Sequence, residues 1–254
     1  MPRVSIELND MVALADQIRE ITGTEDQMSI VDMTNELSNN AGGGGDIDAM
    51  IDGSIEGDIT SNVTTVKDHV FRNCTNLTSV NFPSATSIGT YAFRECSNLT
   101  SANFPSATSV ESQVLYKCIN LTSANFPSAT SIGNFAFWSD YYLVKLILGT
   151  KQTTVSTLAN TGAFSNCFHI LGTVHATYNP DGLKDGYIYV PLSLVADYRV
   201  ATNWDTYATQ IMPWVATVEE LTNIDGTTYD HACVGEGVDS VEYAYNGTTW
   251  EIFR

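Results

Sequence analysis

Cysteines at a constant spacing are the first candidates for chemistry in this sequence of 254 residues. Cys74, Cys96 and Cys118 follow one another at equal intervals. A column of thiols has two interpretations: small side chains packed in an interior, or metal ligands and disulfide partners. We expect free, packed thiols in a reducing compartment, because five cysteines are an odd number and a chain of this size does not need disulfides. Asp140 takes the fourth position of the column, where the thiols stop.

Two short clusters contain the nitrogen and sulfur atoms that zinc prefers. Cys167 lies near His169 and His175, and His231 lies near Cys233. Zinc sites usually show two spaced pairs of ligands, which neither cluster provides, and Cys167 already belongs to the repeated cysteines. We therefore expect no zinc site.

An acidic segment before the repeated part of the chain hints at calcium. It contains Asp46, Asp48 and Asp52. An EF-hand loop needs oxygen ligands where Met50 and Gly57 stand. A solvated acidic linker is the alternative that we favour, and we expect neither a metal nor another cofactor.

The short motifs that mark common enzyme active sites are absent from the sequence. It contains no Gly-x-Ser-x-Gly elbow and no His-Glu-x-x-His pair. The glycine run at residues 42–45 lacks the Lys-Ser/Thr that a phosphate-binding loop needs. We therefore expect a protein that is not an enzyme.

Two pairs of positions vary among segments that are otherwise nearly identical. If those segments stack, each pair of positions forms a row on the surface, with more aromatic residues toward the C-terminal end. The first pair reads Asp68-His69, Thr90-Tyr91, Ser112-Gln113 and Asn134-Phe135, and the second reads Arg72-Asn73, Arg94-Glu95, Tyr116-Lys117 and Trp138-Ser139.

These rows predict either a recognition patch or a roof. Aromatic residues and arginine dominate the hot spots of binding interfaces. Large aromatic residues are also usually mostly buried, so the second residue of each pair could instead cover the turn beneath it. The candidate ligand-binding residues are Tyr91, Arg94, Tyr116, Phe135, Trp138, Tyr141 and Tyr142.

The chain contains a 22-residue repeat, and the strands and turns of this repeat would position these residues. One unit cannot bury its apolar side chains alone, but units stacked about 4.8 Å apart turn each position into a continuous apolar ladder. The result is a solenoid. Its four apolar columns are Val66, Ile88, Val110 and Ile132; Phe71, Phe93, Leu115 and Phe137; Leu77, Leu99, Leu121 and Leu143; and Phe82, Phe104, Phe126 and Leu148.

Each unit predicts two strands and a turn. Residues 99–104 alternate between apolar and polar as a strand does, and Pro105 ends the strand because proline has no N–H to donate. Residues 108–110 predict a second short strand. Residues 91–96 do not alternate and predict a helical turn.

The repeat becomes irregular after Phe137. The Ala-Phe-x-x-Cys signature returns at residues 163–167, further from Phe137 than one repeat, which indicates an insertion of about five residues near Lys151 to Thr161. A fifth turn follows, for which residues 169–171 predict the strand. Residues 54–66 predict a starting half-turn before the first full unit.

These residues resemble the BspA-like class of leucine-rich repeats. The unit of that class runs approximately Leu-x-x-Ile-x-Phe/Ile-Pro-x-x-Val-x-x-Ile-Gly-x-x-Ala-Phe-x-x-Cys, and Ile88-Gly-Thr-Tyr-Ala-Phe-Arg-Glu-Cys-Ser-Asn-Leu99 matches it nearly throughout. The resemblance covers about residues 60–175 and implies a β-rich α/β solenoid. The third unit departs from it, because residues 110–115 read Val-Glu-Ser-Gln-Val-Leu.

Two helices are predicted before the repeats. Asn9 or Asp10 can cap a helix over residues 11–18, and a second helix begins at Ser29 in capping-box fashion. Residues 1–41 thus predict a helical anchor, and residues 42–53 a glycine-rich joint. This helix pair, the glycine run and Ile51-Asp-Gly53 resemble tail-associated or other virion proteins of phages and prophages of gut Gram-positive bacteria.

A cap and a small β appendage are predicted after the solenoid, which we assign to residues 54–185. The cap, residues 186–213, combines a strand at 186–191, a helix at 194–201 and a turn around Trp204, because solenoids must cover their last exposed face. The appendage, residues 214–254, contains Asp225-Gly226 and Asn246-Gly247, which predict hairpin turns.

Composition excludes several classes of protein. The formal net charge is -18, with 11 Lys and Arg scattered singly, so the protein does not resemble a nucleic-acid binder. No run of about 18 apolar residues occurs, which argues against membrane insertion. The N-terminus lacks an apolar stretch of the secretory type, so we expect no export signal.

The sequence therefore predicts a non-enzymatic phage or prophage virion appendage, assembled in the bacterial cytoplasm. Residues 1–40 would contact other virion subunits, and the repeats would present a surface to a host glycan or protein. We also expect a homo-oligomer. One alternative is a bacterial cell-surface adhesin, which the BspA resemblance implies, and another is a structural spacer or decoration protein without a ligand.

Overall fold

A computed structural model describes residues 5–7, 57–235 and 240–253 of the chain. The two helices predicted within residues 9–37, the glycine-rich joint and the acidic segment at 46–53 lie outside the described residues. Sixteen strands occur in the described part: β1 (Ser5–Glu7), β2 (Gly57–Thr60), β3 (Thr65–Val66), β4 (Leu77–Asn81), β5 (Ser87–Ile88), β6 (Ser101–Asn103), β7 (Ser109–Val110), β8 (Ser123–Phe126), β9 (Ser131–Ile132), β10 (Lys145–Leu148), β11 (Thr157–Leu158), β12 (Tyr187–Pro191), β13 (Ile211–Val215), β14 (His231–Val234), β15 (Val241–Tyr245) and β16 (Trp250–Ile252).

One large sheet runs the length of the described part. Its strand order is β1-β2-β4-β6-β8-β10-β12-β13-β14-β15-β16, parallel as far as β14 and antiparallel over the last two pairs. The short strands form a second face, in the orders β11-β9-β7 and β3-β5. Ser101 pairs with Ser123, and Ser123 pairs with Lys145, so neighbouring strands are offset by one full repeat. The predicted β-rich solenoid with parallel strands is confirmed.

The interior consists of stacked columns, as the repeat predicts. Phe71 lies on Phe93 with ring centroids 5.1 Å apart, and Phe137 lies on Phe164 at 5.3 Å. Phe104 stacks on Phe126 at 5.2 Å. All of these rings belong to one continuous cluster of buried side chains. Because each unit covers the apolar face of the next, no single unit has to form a core alone.

Reverse turns form the third side of each unit, so the helical turn predicted for residues 91–96 is wrong. Arg94 N–H donates to the Tyr91 carbonyl at 3.1 Å, and Cys96 N–H donates to the Phe93 carbonyl at 3.3 Å. Tyr91 and Glu95 have φ angles of 62° and 63°, which a right-handed helix cannot contain. Phe93 N–H donates to Val114 of the next unit at 2.9 Å, so stacking competes with local helix formation.

The predicted insertion lies where the sequence places it, but it is divided. Leu158 pairs with Ile132, although the two are separated by four residues more than one repeat. These four extra residues lie between β10 and β11. Phe164 stacks on Phe137, which it follows by five residues more than one repeat, so one more residue enters before the next ring. The interior column is kept because the extra residues lie in surface turns.

The strand predicted at residues 169–171 is wrong, because Phe168–Leu171 forms a short helix, α1. Gly172 ends α1 in the left-handed conformation, with φ 66°. The strand that pairs with β10 is β12, which begins only at Tyr187, after a long loop. The other helical segments are α2 (Val195–Val200) and the 3₁₀ helices Thr161–Phe164, Leu192–Leu194, Asp205–Gln210 and Glu219–Asn223.

Aromatic side chains that follow β12 cover the last interior ring, as expected of a cap. Tyr207 packs edge-on against Phe164 at 5.0 Å, and Trp204 lies 6.2 Å from the same ring. The Trp204 indole N–H donates to the Ser156 carbonyl at 2.7 Å, and the Tyr198 hydroxyl donates to the Ser156 hydroxyl at 2.8 Å. The polar ends of the buried cap residues are therefore hydrogen-bonded.

The strands of the predicted appendage extend the main sheet. The Asn246-Gly247 hairpin is confirmed, because it joins antiparallel β15 and β16 and Gly247 has φ 98°. The Asp225-Gly226 hairpin is wrong, since β13 and β14 on either side are parallel. There the Asp225 carboxylate accepts from Thr227 N–H at 2.9 Å and forms a local side-chain turn. No helix in the described part of the chain is long and apolar enough to span a membrane.

Candidate functional site

Four of the seven predicted ligand-binding residues form one continuous row along the repeats. Arg94 lies between the rings of Tyr91 and Tyr116, with its guanidinium carbon 5.5 and 4.8 Å from the two centroids. The Tyr116 ring stacks on Trp138 at 4.7 Å, with planes 11° apart. His69 extends the row at its N-terminal end by stacking on Tyr91 at 4.7 Å.

Two charged residues complete this row and were absent from the predicted set. The Lys117 ammonium lies 5.7 Å from the Tyr116 centroid and 5.9 Å from the Trp138 centroid. Glu95 places one carboxylate oxygen 3.4 Å from the Arg94 guanidinium and 3.7 Å from the Lys117 ammonium. Their variable positions in the sequence were the available signal. We name the row the aromatic–basic strip, consisting of His69, Tyr91, Arg94, Glu95, Tyr116, Lys117 and Trp138.

The backbone is left-handed at the second residue of every variable pair in the four units. Non-glycine residues adopt this conformation rarely, and mostly when they are Asn, Asp or His. In this fold it recurs with each unit. The first column has φ 63° at His69, 62° at Tyr91, 57° at Gln113 and 56° at Phe135, and the second has 60° at Asn73, 63° at Glu95, 59° at Lys117 and 63° at Ser139.

Stacking explains why these positions are left-handed. Tyr91 N–H donates to the Ser112 carbonyl at 3.3 Å, and Glu95 N–H donates to the Tyr116 carbonyl at 2.8 Å. Both N–H groups therefore point along the solenoid toward the next unit. The fold requires this backbone whatever the side chain is, and a left-handed L-residue other than glycine costs about 1 kcal/mol. Tyr, Gln, Glu and Lys at such positions do not optimise the stability of the turns.

Phe135 lies apart from the strip. Its ring covers Gly162, because a methyl group on Gly162 would come within 3.0 Å of the ring. The side chain is still 40% exposed. Phe135 therefore partly fits the roof interpretation and partly remains available to a partner.

Tyr141 and Tyr142 belong to a second group of rings. Tyr141 lies 4.2 Å from Tyr178 and 5.1 Å from Phe168. Tyr142 lies 6.0 Å from His169. The partners come from α1 and the loop after it, which the repeat does not predict. The patch of seven residues thus divides into the strip, Phe135 and this loop cluster, which consists of Tyr141, Tyr142, Phe168, His169, His175 and Tyr178.

Hydrogen bonds tie the loop cluster to the chain. The two nitrogens of His169 lie 2.6 Å from the Asp185 carboxylate and 3.3 Å from the Tyr178 carbonyl. His175 stacks on Phe168 at 4.6 Å. These contacts fix the loop against the fifth unit and use the nitrogen atoms that a metal would need. Among the described residues, no group of three or more His, Cys, Asp or Glu is arranged to hold a metal ion.

The packing interpretation of the cysteines is confirmed, because all five are free and buried. The Cys96 thiol donates to the Phe71 carbonyl at 3.0 Å, and the Cys118 thiol donates to Phe93 at 3.1 Å. Burial raises the pKa of the Cys118 thiol well above its usual value. Burial likewise raises the pKa of the Cys167 thiol. These two thiols are therefore held in the protonated form, which is not the nucleophilic one.

Asp140 occupies the same interior column and is fully buried. One of its oxygens accepts from Cys118 N–H at 2.9 Å, and the other has no hydrogen-bond partner. Burial raises the pKa of this carboxyl well above its usual value, against the lowering effect of the Cys118 N–H. The environment of Asp140 in the column therefore favours the protonated form of its carboxyl.

Comparisons with known proteins agree with the geometry of the repeats. Residues 55–171 match the family model described as the BspA type leucine rich repeat region, in six copies. None of the curated proteins compared with the chain matches it.

Two solved structures are similar to parts of the chain. One is a leucine rich cell surface protein from Faecalibacterium prausnitzii A2-165, 33% identical over 43% of this chain and 29% of that chain, with a TM-score of 0.38. The chain thus spans less than a third of that protein. The other is the leucine rich repeat protein of T. pallidum, 20% identical over 61% of this chain and 67% of that chain, with a TM-score of 0.43. The match in six copies and the regular ladder of strands together show that residues 55–171 are a BspA-type leucine-rich repeat region.

Proposed function

We propose that the repeat region is a non-enzymatic recognition surface, which binds a glycan or protein through the aromatic–basic strip. One observation carries this proposal. The fold imposes a left-handed backbone on two surface columns, and the chain places Tyr91, Gln113, Glu95 and Lys117 there. Glycine or asparagine would satisfy the same backbone at lower cost.

A strained backbone position indicates a function when the fold does not require the particular side chain that stands there. At about 1 kcal/mol each, the four residues together cost a substantial part of the stability of a typical domain. The four apolar columns of the interior, which the fold does require, stay apolar in every unit. Variation confined to the surface pairs that contain these strained positions is what selection for binding would produce.

The roof interpretation makes the opposite prediction. If the rings serve to cover the turns beneath them, their removal lowers stability and leaves binding to other molecules unchanged. If they serve a partner, their removal abolishes binding while the interior columns hold the fold. Stability and binding measured on the same variant separate the two.

Display at an exterior surface follows from this proposal, on a bacterial cell or on a virion. The narrower prediction of a phage or prophage appendage, anchored by residues 1–40, depends on motifs outside the described residues and stays a prediction. The expected homo-oligomer also stays a prediction. A spacer without a ligand is the second candidate and is contradicted by any specific binding to the strip.

The test is binding of the labelled chain to an array of glycans and bacterial surface proteins. We expect the double variant Tyr116→Ala/Trp138→Ala to lose binding and to keep cooperative thermal unfolding. Tyr245→Ala/Trp250→Ala is the matched control, because it removes a similar ring pair, 5.4 Å apart, from the C-terminal hairpin. If the wild type binds nothing on the array, or if the strip variant binds as the wild type does, the recognition proposal is wrong.

A further inference from the structure

The chemistry of the strip points to one class of ligand. We propose that it binds a linear anionic polysaccharide, one that carries a carboxylate on successive sugar rings, as a polyuronate does. This inference rests on the proposed recognition function and makes it more specific. It follows from the orientation of the rings, the placement of the cations and the spacing of the units.

Tyr116, at the centre of the strip, presents its edge rather than its faces. Trp138 covers one face of Tyr116. Arg94 covers the other, because it precedes Tyr116 by one unit while Trp138 follows by one. The face of an aromatic ring is electronegative and its edge is electropositive. Stacked in this way, Tyr116 cannot offer a face to a neutral sugar, and its outward edge favours a negative group.

Positively charged residues occur in three successive units along the columns of the strip. Arg72, Arg94 and Lys117 each belong to a different unit, in two adjacent columns. The chain as a whole carries a formal charge of -18, so the strip is one of few places where an anion meets positive charge. Electrostatic complementarity of this kind selects partners and raises association rates.

The spacing favours a sugar chain over an acidic peptide. Stacked units place a cation about every 4.8 Å along the solenoid. Residues on one face of an extended peptide recur about every 6.7 Å, which does not match. A sugar chain that advances by one ring per unit, and is twisted so that its carboxylates face the solenoid, would place one carboxylate beside each cation. Next to the rings, Thr90, Ser112 and Gln113 provide hydroxyl and amide groups for sugar hydroxyls, and Gln113 already donates to the Tyr91 hydroxyl at 3.1 Å.

Glu95 provides a diagnostic of this proposal. Its carboxylate lies within 4 Å of both the Arg94 guanidinium and the Lys117 ammonium, where a ligand carboxylate would bind. All three side chains are between 26% and 41% exposed, so these ion pairs are weak and can exchange partners. An anionic ligand competes with Glu95, whereas a neutral ligand does not. Glu95→Gln should therefore strengthen binding of an anionic ligand.

The experiment measures binding of the full chain to polygalacturonate, with its methyl-esterified, uncharged form as the control ligand. We expect binding to the charged polymer alone, weakening from about 50 mM to about 200 mM salt. Arg94→Gln/Lys117→Gln should lose about tenfold in affinity, because charged hydrogen bonds are removed. Glu95→Gln should gain about threefold. Lys151→Gln/Lys184→Gln, which removes the same charge outside the strip, should bind as the wild type does.

Several results would overturn the proposal. They are equal binding of the esterified polymer, binding of polyglutamate as tight as that of polygalacturonate, or weaker binding by Glu95→Gln. Absence of polygalacturonate binding would also overturn it. If the Tyr116→Ala/Trp138→Ala variant still loses binding on the glycan and protein array, the recognition function stands while its anionic ligand does not.

Discussion

Two surfaces of the repeat region use the same repeat geometry in different ways. On the sheet surface, Asn125 donates to Asn103 and Asn103 donates to Asn81, both at 2.7 Å, and the Thr122 hydroxyl donates to the Thr100 carbonyl at 3.0 Å. The same residue types recur there, and each satisfies the next. On the aromatic–basic strip the residue types change from unit to unit, and the backbone is left-handed at four of its residues, His69, Tyr91, Glu95 and Lys117.

The difference shows that some columns of a repeat stabilise the fold, whereas the side chains of other columns can vary and contact a partner. Where a column bonds to itself along the solenoid, one residue type suits every unit, and a change in one unit leaves its neighbours unpaired. Where the backbone alone is hydrogen-bonded, the side chains are free to differ. The left-handed residues of the strip satisfy the second condition, because the backbone N–H groups of Tyr91, Glu95 and Lys117 bond to the next unit whatever the side chain is.

The largest expected effect is the difference in stability lost when a ring is removed from an interior column and when one is removed from the strip. Phe93→Ala should lose about 4 kcal/mol in the free energy of unfolding, because Phe93 is fully buried between neighbouring rings. Tyr116→Ala, which removes a similar ring from the strip, should lose about 1 kcal/mol. Urea unfolding of both variants measures this, and equal losses would support the roof interpretation.

Asp140→Asn tests the interior column at its one irregular position. Asparagine keeps an acceptor for Cys118 N–H and removes the buried acid. The raised pKa means that the folded state binds the proton more tightly than the unfolded state does. The stability contributed by the proton is fully present below about pH 4, the usual pKa of an aspartate, and is lost as the pH rises through the folded pKa.

Wild-type stability should therefore fall relative to that of Asp140→Asn as the pH rises above 4. At pH 7 the variant should be the more stable of the two by about 2 kcal/mol or more, because a carboxyl whose pKa is raised costs the folded state up to about 1.4 kcal/mol per pH unit above the unfolded pKa, and asparagine has no such proton to lose. Urea unfolding at pH 4, 5.5 and 7 measures the difference. A difference that stays constant across this range would show that Asp140 does not titrate between the folded and unfolded states.

Exchanging residues within one left-handed column should give the smallest effect. Lys117→Asn should gain about 1 kcal/mol in stability, because asparagine tolerates φ near 59° better than lysine does. Asn73→Lys, at φ 60° in the same column, should lose a similar amount. Thermal or urea unfolding measures both. If both exchanges leave stability unchanged, the left-handed positions are not strained and the main support for recognition is lost.

Much of the fold is predictable from the sequence because the repeat specifies which residues are stacked in the interior. Phe71, Phe93 and Phe137 recur at fixed spacing, and stacked units bring equal positions together, so the interior column follows without coordinates. The cap strand and Trp204 follow from the need to cover the last ring. The prediction for residues 169–171 is wrong because three residues, His-Ile-Leu, are too short a segment to distinguish a strand from a helix.

The candidate site was predictable in part. The variable pairs identified Tyr91, Arg94, Tyr116 and Trp138, since unequal residues in a regular column are visible in the sequence. The separation of Tyr141 and Tyr142 was not, because their ring partners come from a loop that lies outside the repeat. The roles of Glu95 and Lys117 depend on distances to two neighbouring units, which no single unit reveals.

Which side chains stack follows from the sequence alone. The repeat has a fixed period and its strands a fixed spacing, so the apolar columns can align in only one register. The conformation of the turns and the raised pKa of Asp140 depend on the tertiary structure. Hydrogen bonds between units make the backbone left-handed beneath the strip, and complete burial raises the pKa of the carboxyl. Both effects arise from contacts between units, whereas the sequence of one unit specifies only that unit.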